Sequence, residues 1–237
     1  MRIPYKTRLL IAISVLTVVF IAGCVDTSIN PLPSSVDYSS QISIVNLVSG
    51  AGTATLTLDG QSLGAVAFGS EYPGQLPFLT VPSGNKVLGA SFTTAASQEY
   101  RFAASTEYKQ RIYLVGTAAK SEVVRVSQRY IWQTKDSPNG AALFPADTAW
   151  VAFFNGSPNA LINGVTINGD ETTFATPLAT GKGASYIKLA AGSYTFDVLY
   201  DDASHLTFDY TVGSKGRYTT VLYDSAATLQ SAVFIDD

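Results

Sequence analysis

The chain has 237 residues with 18 acidic and 15 basic side chains, long enough for one large domain or two small ones. Its net charge of −3 argues against nucleic acid as a partner, because phosphate binding rests on clustered Lys and Arg. With one cysteine, Cys24, and one histidine, His205, the chain has no disulfide framework and no zinc site built on several thiolates.

The first eight residues, MRIPYKTR, hold three cations and no acid, and the stretch that follows, LLIAISVLTVVFIA, is apolar apart from Ser14 and Thr17. This is the layout of a secretory signal peptide. Its apolar core is short of the roughly 20 residues that a helix needs to cross a bilayer, so export is expected rather than a permanent span. Ile21-Ala22-Gly23-Cys24 resembles the lipobox of bacterial lipoproteins. That resemblance implies cleavage before Cys24, with a diacylglyceryl group on the thiol and usually a third acyl chain on the freed amine. The alternative is an ordinary signal followed by a chance cysteine, which requires charge, core length, small residues and cysteine to coincide. Each buried acyl methylene contributes about 0.8 kcal/mol, so two or three chains form a lasting anchor. Val25 stands where an Asp would mark inner-membrane retention in many Gram-negative bacteria, which resembles an outer-membrane address.

Removing residues 1–23 takes three of the 15 basic side chains and none of the 18 acidic ones, leaving 12 against 18 and a net charge of −6. Val25 to Ser40, VDTSINPLPSSVDYSS, is polar, contains two prolines and has no period, and it is expected to be a flexible, extended tether.

Beyond it, two stretches repeat one layout about 108 positions apart. ISIVNLVSGAGTATLTLDGQ from Ile42 meets VAFFNGSPNALINGVTINGD from Val151, so that Asn46 falls on Asn155 and Asp59-Gly60 on Asn168-Gly169. FLTVPSG then meets YIKLAAG, and YLVGTAA meets VLYDSAA. Three matches in one order point to a duplication whose units are domains of roughly 100 residues, far longer than solenoid repeats.

Inside each unit the apolar spacing is two. In SYTFDVLYDD, Tyr194, Phe196, Val198 and Tyr200 share a face, as do Leu206, Phe208, Tyr210 and Val212 in LTFDYTV. Asp59-Gly60 and Asn168-Gly169 suit tight hairpins, and Ser83-Gly84 and Ala191-Gly192 lie between successive strands. With no amphipathic helical stretch after the signal, the expected fold is all-β, with two tandem sandwiches of about seven short strands each. The expected boundaries are signal peptide 1–23, lipidated terminus and tether 24–40, sandwich 41–134, linker 135–148 and sandwich 149–237. Phe144 and Trp150 near the joint predict limited freedom between the domains.

The sequence resembles the bacterial lipoproteins that carry tandem copies of domain of unknown function 4397, which are expected to be immunoglobulin-like sandwiches. The resemblance rests on FFNGSPNA, TINGD and YIKLAAGSYTF in the second repeat. The first repeat departs from the pattern where LVSGAG replaces the Pro-containing turn after Asn46. The resemblance spans residues 40–237, and its motifs are turns and strand ends without a catalytic signature.

Candidate chemistry is sparse. His205 lies near Asp201, Asp202 and Ser204, but no G-x-S-x-G elbow exists, and an exposed loop histidine is expected. Asp201-Asp202 and Asp236-Asp237 are read as solvated turns or terminus rather than a glycosidase pair. Calcium at Asn168, Asp170 and Glu171, or at Asp201 and Asp202, lacks the spacing of a ligand loop. Tyr130, Trp132 and Trp150 are expected to pack the core or the joint rather than to stack on sugars. No cofactor and no metal is expected. The expected function is a non-enzymatic binding or adhesion module for a glycan, peptide or partner protein, held to the bacterial envelope through acyl chains on Cys24. The alternatives are a structural accessory subunit of an envelope assembly and a carboxylate hydrolase.

Overall fold

The computed structural model describes residues 38–201 and 203–237. The signal segment, Cys24, the tether up to residue 37 and Asp202 lie outside the described residues. Nine strands form the first half: β1 (Ser39–Ser49), β2 (Ala54–Leu58), β3 (Gln61–Val66), β4 (Ser70–Tyr72), β5 (Leu79–Pro82), β6 (Gly84–Phe92), β7 (Gln98–Ala104), β8 (Tyr108–Thr117) and β9 (Lys120–Tyr130). A one-turn helix, α1 (Gly140–Leu143), interrupts the joint. The second half repeats the count with β10 (Thr148–Asn155), β11 (Ile162–Ile167), β12 (Asp170–Leu178), β13 (Lys182–Gly183), β14 (Ile187–Ala190), β15 (Gly192–Tyr200), β16 (Ser204–Val212), β17 (Arg217–Tyr223) and β18 (Gln230–Ile235). Nine described strands per half exceed the seven expected, because short edge pieces (β4 and β5, β13 and β14) share one edge of β1 and of β10.

Each half is a two-sheet sandwich, and the two have the same strand order. The outer sheets run β3-β2-β6-β7 and β12-β11-β15-β16; the inner sheets run β4-β1-β8-β9 and β13-β10-β17-β18. The first and eighth strands of each half pair in parallel, Gln41 with Lys109 and Trp150 with Arg217. Local chemistry explains the matching geometry. Asp59-Gly60 and Asn168-Gly169 both have positive φ at both positions, as a type I′ hairpin requires. The side-chain oxygens of Asp59 and Asn168 accept the backbone N–H of Val87 and Thr195 at 2.9 and 2.8 Å.

Asn46 and Asn155 are equally matched. Both are fully buried, Asn46 three residues before the end of β1 and Asn155 at the last residue of β10, and both amides bond backbone across the sandwich: Asn46 Nδ2 donates to Gly52 O at 2.8 Å, and Asn155 Nδ2 donates to Ala160 O and Leu178 O at 2.8 and 2.7 Å. A buried amide with its bonds made closes the sandwich end at little cost, whereas an apolar side chain there would leave those carbonyls unpaired.

Each sandwich has its own core, the first around Ile44, Leu56, Leu88 and Ile112, the second around Val151, Ile162, Phe196 and Val198. A third cluster belongs to both. Val45, Leu47, Tyr113 and Val115 of the first inner sheet pack against Phe154, Val221, Tyr223 and Phe234 of the second. The inner strands are therefore buried on both faces, and alternation survives only as a choice between two interiors. In β8, Ile112 and Leu114 face their own core while Tyr113 and Val115 face the other sandwich. Gly69, at φ +73°, sits where a Cβ would lie 2.5 Å from the Tyr223 hydroxyl, and a Cβ on Gly156 would lie 2.4 Å from Leu47. Both glycines admit a side chain of the other half, and Phe68 meets Tyr223 edge-on at 5.2 Å.

On β15 the expected face is buried: Phe196 is 1% exposed and stacks on Phe208 at 5.3 Å, while Thr195 faces solvent and donates to Asp209 at 2.6 Å. Phe196→Ala should cost about 3–5 kcal/mol by cavity formation. Thr195→Ala should cost no more than about 1 kcal/mol, the worth of one exposed hydrogen bond. Urea unfolding of both variants checks the contrast, and comparable losses would mean the outer face is covered in solution.

Candidate functional site

The largest polar group buried in the protein is Arg111 of β8, whose position between Gln110 and Ile112 turns it toward the second sandwich. Its Nε and Nη2 lie 3.1 and 3.0 Å from Glu71 Oε2, Nη2 also donates to Ile235 O at 3.1 Å, and Nη1 pairs with Asp236. Phe78 and Phe234 lie on the guanidinium at 5.2 and 5.3 Å. Asp236 is satisfied further by Thr219 Oγ1 at 2.8 Å and by the Tyr186 hydroxyl at 2.7 Å, and Ser43 donates to Glu71 at 2.7 Å.

The charges tune one another. Burial is the largest single influence on Arg111 and would lower its pKa, but the attractions of its neighbours, Asp236 first and Glu71 among them, together outweigh it and hold the guanidinium above its ordinary value. Glu71 is held above the usual carboxylate range because loss of water exceeds the attraction of Arg111, which is shared between two acids. Burial, and then the neighbouring Asp236 charge, keep the Tyr186 phenol neutral far above its ordinary pKa.

A second layer surrounds Asp237. Lys109 Nζ lies 3.0 Å from its carboxylate, Arg129 pairs with it, and Arg217 approaches at 3.8 Å. Phe144, just past α1, is sandwiched between Arg129 and Arg217 at 4.8 and 4.9 Å, and Arg217 donates to Leu143 O at 3.0 Å. The joint, the starts of β8 and β17 and the end of β18 are thus tied together at one end, here called the base. At the opposite, distal end Ser49 Oγ donates to Asp224 at 2.7 Å across the two halves.

Asp236 and Asp237, read from sequence as a solvated terminus, are 1% and 7% exposed at the side chain and form the latch between the sandwiches. Their partners lie more than a hundred residues away, which no local pattern reveals. His205 is on strand β16 rather than in a loop, with Nδ1 3.0 Å from Asp197 on the exposed face, and Thr207 donates to the same carboxylate at 3.1 Å. Asp201 Oδ1 accepts the Leu161 N–H at 3.0 Å, and Asn168 caps its hairpin, so these oxygens serve turns. Among the described residues no three His, Cys, Asp or Glu side chains gather as metal ligands do.

Trp150 is half-buried at the joint, its ring 5.9 Å from the Arg217 guanidinium, in keeping with the packing role expected for it. Trp132 departs from that expectation, while Tyr130 is half-buried like Trp150. Trp132 is 53% exposed and stacks on Tyr130 at 5.0 Å, which in turn meets Tyr108 at 4.2 Å. Strand β9 ends at Tyr130, so the chain leaves the sheet there and carries Trp132 outward.

Residues 149–237 match the family described as Domain of unknown function (DUF4397). That match covers the second sandwich. A search of curated proteins found no match. Among solved structures, the chain is similar to the Bacillus anthracis TIE protein, at 14% identity over 79% of this chain and 34% of that one, with a TM-score of 0.25. The chain therefore spans about a third of the length of that protein.

Two outcomes test the latch. Arg111→Met leaves Asp236 and Glu71 buried without their cation and should cost about 3–5 kcal/mol, as should Asp236→Leu. The double variant should lose clearly less than the sum, and additive losses in a double-mutant cycle would show the pair is uncoupled. The second test is a pH dependence. Burial, and then repulsion from Arg129, push Lys109 from 10.5 down to about 8. Below pH 8 the lysine is charged in both states and its burial opposes folding. As pH rises through 8 the folded protein releases that proton while the unfolded chain keeps it, so stability rises. The urea midpoint of the wild type should therefore climb relative to Lys109→Met between pH 7 and 9.5, and parallel curves would refute the shift.

Proposed function

We propose that this protein is a lipid-anchored, non-enzymatic module of the bacterial cell envelope, held through acyl chains on Cys24. Its Val25 favours the outer membrane, and the ligand of its distal loops is a glycan, peptide or partner protein. The observation that carries this reading is the polarity of the two-sandwich body. The described chain enters at the base, beside the joint and the Asp236-Asp237 latch. The loops 50–53, 117–119, 156–161 and 224–229 lie at the other end. Those loops are held in place by backbone-directed bonds, Ala226 N to Asn159 Oδ1 at 2.8 Å and Thr94 Oγ1 to Gly50 O at 2.7 Å. A loop cluster at the end of a sandwich scaffold opposite the chain's entry is the arrangement that binding modules use.

The non-enzymatic part is supported by how the titratable side chains are spent. Arg111, Glu71 and Asp236 neutralise one another in the interior, and Asp197 and Asp209 hold threonine hydroxyls on an open sheet face. Palmitate labelling in cells tests the anchor: the wild type should carry label and sediment with membranes, and Cys24→Ser should lose the label and accumulate unprocessed. Full membrane retention of an unlabelled wild type would reject the lipoprotein reading.

A further inference from the structure

Four large apolar side chains are conspicuously exposed among the described residues, and two of them, Tyr38 at 61% and Trp132 at 53%, are at the base. Backbone bonds bring them close. Glu107 N donates to Ser39 O at 2.7 Å, and Ile131 N donates to Glu107 O at 2.6 Å, so residues 39, 107 and 131 form one transverse line across β1, β8 and β9. Tyr38, Tyr108, Tyr130 and Trp132 each lie within one residue of that line. With neighbouring strands about 4.8 Å apart, four aromatic residues are gathered on the rim of one sheet.

We propose that this rim is a lipid-contact surface, resting on the bilayer at the level of the headgroups. The inference rests on the anchored reading above. Only 14 residue steps separate Cys24 from Tyr38, a reach of at most about 50 Å at full extension. The described chain begins at Tyr38, in the aromatic rim itself, so the rim is the part of the body nearest to Cys24 along the chain. Tyr and Trp, each with an apolar ring and a polar tip, are the residues that favour the membrane–water interface. Partitioning by a few rings is weak alone, but a short tether raises the effective concentration of the rim at the surface to the millimolar range.

Ring geometry favours lipid over sugar. A sugar-binding platform needs open ring faces, whereas Tyr130 and Trp132 stack face to face at an interplanar angle of 19°. Tyr108 also packs on Tyr130, its ring tilted by 38° at 4.2 Å.

The test uses the mature acylated chain reconstituted in vesicles of phosphatidylethanolamine and phosphatidylglycerol, with bromine on the upper acyl carbons of some lipids. Trp132 and Trp150 are the two tryptophans, and Trp150 is held at the joint. Bromolipid should quench a part of the emission that disappears in Trp132→Phe, an exposed substitution that leaves the fold intact. Equal quenching in both proteins, or none in a membrane-bound wild type, overturns the proposal. The unacylated Cys24→Ser chain, added to the same vesicles at high lipid concentration, separates the two readings. Trp132 quenching in a chain that cells never acylate would reject the anchor and keep the rim, whereas an acylated protein with unquenched Trp132 would do the reverse. A saturable change in Trp132 emission on adding a soluble hexasaccharide without lipid would assign the rings to sugar and also overturn the proposal.

Discussion

An arginine with no access to water has to be answered by charge, and in this protein the answer comes from the far end of the chain. Arg111 lies on a central strand of the first sandwich, and its principal counter-ion, Asp236, follows the last strand of the second, 125 residues later. Taking both charges out of water is expensive, and their attraction offsets that cost only when geometry is good and the remaining hydrogen bonds are made. Glu71, Thr219, Tyr186 and the Ile235 carbonyl make most of them, and Glu71 Oε1 is buried without a partner. Such a cluster adds less to stability than an apolar patch of equal size, but it is satisfied in one register alone. Sliding the two inner sheets by one residue would strand a charge on each side.

The apolar part of the interface is less selective but larger. The inner strands bury both faces, so sequences such as RIYLV in β8 and TTVLY in β17 carry apolar side chains in both phases of the alternation. One phase fills the strand's own sandwich and the other fills the shared cluster around Tyr113 and Phe154, whose rings stack at 3.9 Å. Gly69 and Gly156 let the sheets close on Tyr223 and Leu47. Each half thus owns a core, yet neither half has a fully polar surface by itself. Separating them would expose Val221, Phe154 and Phe234 together, an apolar area of the kind that monomeric proteins rarely leave open. Residues 38–237 accordingly form one compact unit.

What the sequence made legible follows from how local each feature is. The hairpins at Asp59-Gly60 and Asn168-Gly169 depend on two residues and were readable from those two. The buried face of β15 depends on the period of one strand, and Phe196 and Val198 lie where that period puts them. Asn46 and Asn155 could be matched by position, although their role as amide plugs needed the backbone carbonyls of Gly52 and Leu178 to be seen nearby. The latch was not legible. A terminal Asp-Asp pair looks solvated until its cations are known, and these come from β8, β9 and β17. The one available sign was Arg111 itself, a cation inside the apolar run RIYLV with no acid beside it in sequence. Trp132 was misplaced for the opposite reason: its neighbours continue the strand pattern, but the pairing of β9 stops at Tyr130.

The two ends of the body carry different constraints. At the base, Lys109, Arg129, Arg217, Phe144 and Asp237 contact one another, so a change in any one disturbs the joint, the latch or the start of an inner strand. At the distal end the loops are tied by a few side-chain bonds to backbone and across the halves, such as Ser49 to Asp224, and mix exposed positions such as Asn159 and Thr228 with buried ones such as Ala51, Ser157 and Ala160. Substitution at the exposed ones costs little stability, because exposed positions away from packing and caps are usually within about half a kcal/mol of neutral. Recognition can therefore be altered at the exposed positions of the distal loops without loosening the body, while Gly156 and the base must keep their residues to hold the two sandwiches in register and to present the aromatic rim beside the point where the chain enters.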